Sequence, residues 1–175
     1  MVRSLIAAMA AGAAVCCGGA VQAQPAHQIP QSLAVEHHET IERLQALSKR
    51  PGAVGAAARR SLTLFRRHVE REEAFIMPPL TLLPALADGK ASPDMAWALA
   101  MCDRVKAEQG EIFQEHTDIT TAANALWSAG MAAHDREAMD FARGAVADSL
   151  NDLEIEEPAV LMIGAYLHAK LDGAR

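Results

Sequence analysis

The chain has 175 residues, a hydrophobic share of 51% and a formal charge of −6, enough apolar material for one buried core and too acidic for a nucleic-acid partner. Aromatic residues make up only 4% while alanine is abundant, so closely packed helices are expected and a sheet sandwich is not.

Arg3 precedes an apolar run from Leu5 to Val15, followed by small residues up to Ala23. This reads as a secretory signal peptide over residues 1–23, with residues 24–31 as a linker and a helical domain over 32–172. The expected location is the periplasm or the outside of the cell. The run is too short for a membrane span, and no later stretch is long enough without charges, so no stable span is expected after signal removal. Cys16 and Cys17 would leave with the signal, and Cys102 alone cannot form an intramolecular disulfide. Loss of Arg3 leaves 15 basic against 22 acidic residues, a charge of −7.

The first predicted helix runs from Ser32 to Lys49, with apolar positions Leu33, Leu44 and Leu47, and Pro51-Gly52 ends it. Its positions 33, 37, 40, 44 and 47 share a face, so His37 is expected inside and His38 at the side. The second begins near Ala56, passes Leu64, Phe65, Phe75 and Ile76, and stops at Pro78-Pro79. Here His68 and Glu72, four residues apart, lie one above the other on the apolar face. After a connector from Leu80 to Ala91, Ser92-Pro93-Asp94 predicts a capped start for a third helix reaching about Ser128. Val105, Ile112, His116, Ile119, Ala123 and Leu126 share its inward face.

Gly130 is expected to break that helix. A fourth starts near Asp135, carries Phe141, Val146, Leu150, Leu153 and Ile155, and reaches Pro158, where a stop or kink is expected before an apolar helical tail to Leu171. The fold class is all-α, an antiparallel up-down four-helix bundle with a helical C-terminal extension.

A charge buried alone is costly, so an inward Glu72 needs a cation, a proton or a partner. With inward histidines from three helices, a metal site is the economical reading. No phosphate loop, nucleophile elbow or His-Glu-x-x-His motif is present, and hydrolysis is unsupported. His27, His134 and His168 fall outside the cluster. Trp97, Trp127 and Cys102 read as core or helix-contact residues.

Glu36-His37, His68-Val-Glu-Arg-Glu72 continuing to Pro78, and Glu115-His116-Thr-Asp-Ile119 resemble the hemerythrin-like, HHE cation-binding family. The likeness covers most of the chain after residue 31 and extends to the segment from Pro158 to Leu167. It implies a four-helix bundle and a non-haem, usually di-iron site with histidine terminal ligands and bridging carboxylates. It also implies that the chain binds or senses dioxygen or a related small ligand, or handles iron. An iron peroxidase or oxygen-reducing enzyme and a metal-free interaction module are the alternatives.

The fourth helix departs from that family's His-x-x-x-Glu, since no histidine lies between His134 and His168. Counting back from Pro158 as Glu72 and His68 count back from Pro78 gives Asp148 and Asp152. Matching Glu72-Glu73 to Glu156-Glu157 instead gives Asp152 and Glu156. The resemblance thus implies His37, His68, Glu72, His116, Asp148 and Asp152 as the metal ligands, with Glu72 and Asp152 bridging and Asp148 replacing a histidine. Carboxylate for imidazole hardens the donor set, favouring iron(III) or manganese over zinc or copper(I).

Overall fold

The computed structural model describes residues 27–172, so the predicted signal segment lies outside the described residues. The described residues are helical throughout their regular structure, with no strand. The helices are α1 (Gln31–Ser48), α2 (Gly52–Arg71), α3 (Met77–Leu80), α4 (Leu83–Ala87), α5 (Trp97–Ala133), α6 (Arg136–Asn151) and α7 (Glu157–Asp172). A turn of π-helix, Glu72–Ile76, joins α2 to α3, and a second, Asp152–Glu156, joins α6 to α7. Four long helical segments result. α1 packs on α2, α2 on α5, and α5 on both α6 and α7.

The prolines end neither segment. Pro78 and Pro79 lie inside α3, and Pro158 is the second residue of α7, because each follows a wide turn closed by an i→i−5 bond. Met77 N–H donates to the Glu72 carbonyl and Glu157 N–H to the Asp152 carbonyl. The displaced hydrogen-bond register accommodates a residue with no N–H to offer.

Other boundaries also shift. Ser92 makes no side-chain cap, and a short 3₁₀ turn, Pro93–Met95, leads into α5 instead. Gly130 lies within α5 rather than ending it. A Cβ there would meet Met139 Cγ at 3.0 Å and Ala138 Cβ at 3.2 Å, so glycine serves the close approach of α6. The helix ends at His134, whose φ of 54° closes it in the left-handed region. Asp135 then caps α6 by accepting the Ala138 N–H, while Arg50 reaches over to pair with Asp135 and Glu137.

Two apolar clusters fill the interior. One joins Phe75, Ile76, Cys102, Val105, Ile112, Val160, Ile163 and Leu167. The other joins Leu44, Leu47, Val54, Ala58, Leu126, Phe141 and Ala142. Burying each Leu, Ile, Val or Phe contributes about 1.5–3 kcal/mol. Along α5, Ile112 belongs to the first cluster and Leu126 to the second, and His116 falls between them. A polar layer is thus enclosed by two dry ones. Trp97 packs against the first cluster and stacks on His27, but Trp127 is 43% exposed and is not a core residue. Cys102 is buried against α7 and its thiol is pushed up to about 11 by burial, which makes it an inert core residue.

No described helix is long and apolar enough to cross a membrane.

Candidate metal centre

The enclosed polar layer gathers side chains from all four long segments. His37 comes from α1, His68 from α2, Glu72 from the first π turn, His116 from α5, Asp152 and Glu156 from the second π turn, and Glu157 from α7. His37, His68, Glu72, His116 and Glu157 are buried. His38 points outward and pairs only with Glu42, so of the two neighbouring histidines His37 alone faces the interior. Ligand atoms of His68, Glu72, His116 and Asp152 all lie within 4.8 Å of one another.

Glu72 is shared. Its Oε2 lies 3.0 Å from His37 Nε2 and its Oε1 lies 3.1 Å from His68 Nε2. His116 Nε2 lies 3.1 Å from Glu157 Oε1. Two donors about 2.1 Å from one ion and at right angles to each other would be ~3.0 Å apart. A hydrogen bond has the same length, so angle and surroundings must decide. Neither His116 Nε2 nor Glu157 Oε1 has an aligned hydrogen-bond partner, although both are buried. Two facing polar atoms that do not bond each other are what two ligands of a common cation look like without it.

The outward nitrogens give a second criterion. His116 Nδ1 is 2.9 Å from Ser149 Oγ, His37 Nδ1 is 3.3 Å from Glu73 Oε1, and His68 Nδ1 faces Glu115 Oε2 at 3.9 Å. Each imidazole therefore turns Nε2 toward the cluster and Nδ1 toward an oxygen behind it. Metal-binding histidines are oriented by such an oxygen.

Electrostatics agree. Burial pushes the Glu72 carboxyl up, but hydrogen bonds from His37 and His68 outweigh it and hold the group down at about 2. Burial, joined by Glu72, Glu156, Glu36 and Asp148, pushes Asp152 up to about 9. Glu156 is pushed up to about 7 by burial and then by Glu72 and Glu36. At neutral pH the layer holds more carboxyl groups than it can keep ionised, and a cation is the species that would ionise them all. A cavity of about 40 Å³ adjoins these groups, with Glu36, Asp148, Asp152 and Glu156 in its wall. That is room for a few water-sized or ion-sized occupants.

All six sequence-predicted ligands touch this region, but not equally. His37, His68, Glu72, His116 and Asp152 converge. Asp148 is exposed and lines the cavity outside the tight cluster, with its carboxyl raised by burial. The residue behind His116 is its neighbour Ser149. Ile155, expected inside beside Asp152, is 61% exposed. A π turn advances the inward face by one residue, so Glu157, five after Asp152, takes the inner position that α-helical spacing gives to Glu156. The same shift places Met77 inside after Glu72.

Glu157 and Ser149 are the functional residues that sequence reasoning missed. The available signal was the paired Glu-x₅-Pro and Asp-x₅-Pro spacing at Glu72–Pro78 and Asp152–Pro158, which coincides with the two π turns. No family model, curated protein or solved structure matches this chain, and the reading of the centre rests on its own residues and their geometry.

Proposed function

We propose that this chain is an exported, hemerythrin-like antiparallel four-helix bundle that holds a non-haem metal centre, with iron as the metal and two ions as its complement. The centre would serve to bind or sense dioxygen or a related small ligand, or to handle iron. The observation that carries this reading is the arrangement of the three imidazoles, each with Nε2 facing a buried carboxylate and Nδ1 facing an outer oxygen.

His37, His68, Glu72, His116 and Asp152 would hold the metal, with Glu72 lying between His37 and His68. Glu157 completes the set beside His116. The donors are three imidazoles and an excess of carboxylates, a hard set suited to iron(III) or manganese. When bound, such a centre would supply a Lewis-acidic, redox-active ion to a small diatomic ligand. The two apolar clusters flank it above and below in the bundle.

The test is metal content by mass spectrometry on protein produced with iron and purified without chelator. About two irons per chain, reduced in Asp152→Asn and Glu157→Gln, is the expected result. Protein that holds no metal after iron supplementation would overturn the reading. Sustained peroxide turnover by the iron-loaded protein would mark an enzyme rather than a binder.

A further inference from the structure

Behind His68, on the side away from the cluster, a buried acceptor and a buried donor face each other without a bond. Glu115 on α5 has a side chain only 16% exposed, and neither of its oxygens has an aligned hydrogen-bond partner. His68 Nδ1 is likewise unpartnered and lies 3.9 Å from Glu115 Oε2. The terminal torsion of a glutamate is broad, so a small rotation of the carboxylate can close that distance.

On its other side Glu115 is held by guanidinium groups. Arg71 Nη2 is 3.2 Å from Oε1, and Arg67 Nε is 3.6 Å from the same atom. Arg71 is itself fixed by Glu108 at 3.0 Å, Glu108 by Arg104 at 2.7 Å, and Arg104 sits over the Phe75 ring at 3.9 Å. This chain of charges ties α2 to α5 from the polar layer to the surface.

We propose that Glu115 is the positioning residue of His68, accepting its Nδ1–H while Nε2 faces the metal, with Arg71 holding Glu115 in place. Glu73 and Ser149 already stand in that relation to His37 and His116. The three outer oxygens differ in kind. His116 is backed by a neutral hydroxyl, His37 by a half-exposed carboxylate, and His68 by a buried carboxylate shared with arginine. His68 therefore gains a stronger push toward the ion than His116 does. The proposal rests on the metal-centre reading and specifies which residue tunes it.

Zinc(II), being diamagnetic, allows the full-length chain to be read by NMR. In the zinc-loaded wild type the His68 Nδ1 proton should resonate far downfield and exchange slowly with water. Glu115→Gln offers only a neutral acceptor and should move that signal upfield, with zinc affinity falling about 10–100-fold. Arg71→Lys, which keeps a cation beside Glu115, should retain the downfield signal. An unmoved signal in Glu115→Gln would overturn the proposal, as would a wild-type His68 Nδ1 proton that is absent or fully solvent-exchanged, a result that does not require the variant to fold. Failure of the wild type to bind iron as well as zinc would instead remove the metal centre itself, and the positioning role with it.

Discussion

Glu157 Oε1 stands 3.1 Å from His116 Nε2, and neither atom has an aligned hydrogen-bond partner. The contact joins α7 to α5 at the level where His68, Glu72 and Asp152 also converge. It depends on the π turn at Asp152–Glu156, which advances the inward face by one residue and brings Glu157 inward. A buried carboxylate and imidazole held in this relation are poorly satisfied by each other and well satisfied by a cation between them.

Metal should stabilise the fold, because the ligand set exists only when the four long segments are assembled. At a free metal concentration 100 times the dissociation constant the gain is about 2.7 kcal/mol. For a chain of this length that corresponds to roughly 5–11 °C in Tm. Thermal melts with and without chelator measure it, and coincident curves would count against a bound metal.

His37 and His38 should separate cleanly. His37→Ala removes a buried side chain 3.0 Å from Glu72, and metal content should fall. His38→Ala removes an exposed one paired only with Glu42, and metal content should stay at the wild-type value. The same assay on Asp148→Asn should show a smaller loss than on Asp152→Asn, since only Asp152 belongs to the tight group.

The metal-free protein should lose stability as pH rises from about 4 toward 9. Asp152 and Glu156, with folded values of about 9 and about 7 against ordinary values of 3.8 and 4.5, keep protons that the unfolded chain releases. Their folded-state advantage is full at low pH and is lost through those windows. His37, raised from 6.5, acts in the same direction above its ordinary value. Glu72, held at about 2 against 4.5, works the other way, and its contribution is lost only as pH falls through 4.5 toward 2. Melts of chelated protein should therefore give a higher Tm near pH 5 than near pH 8. Metal binding must expel the protons of Asp152 and Glu156, so metal affinity should climb over the same interval.

Gly164→Ala should destabilise the chain by about 1–3 kcal/mol. The new Cβ would lie 2.6 Å from Cys102 Cβ, where α7 packs on α5. Because the clash is with Cβ rather than Sγ, Cys102→Ala should not relieve it. Denaturant unfolding of the single and double variants would show whether it does.

Helical spacing on α1, α2 and α5 alone identifies inward residues. His37, Leu44 and Leu47, then His68 and Glu72, then Val105, Ile112, His116, Ile119, Ala123 and Leu126, are all buried. In these stretches the α-helical period is unbroken, so sequence offset translates directly into direction. The paired prolines likewise carried a local signal, and the register counted from them matches the two π turns.

What the sequence determined by itself was the helical class, the inward face of three helices, and the need to compensate a buried Glu72. Tertiary structure decided the rest. Whether Pro78 and Pro158 end a helix depends on a hydrogen-bond register, i→i−5, that composition does not announce. Beyond Asp152 that register advances the inward face by one residue and buries Glu157, so periodicity alone selects the wrong residue. Ser149 could be recognised behind His116 only once α6 was placed against α5, because a serine on an amphipathic helix has no distinguishing pattern. Local spacing fixes directions along one helix, whereas a metal centre is made by the convergence of several, and convergence is a property of packing.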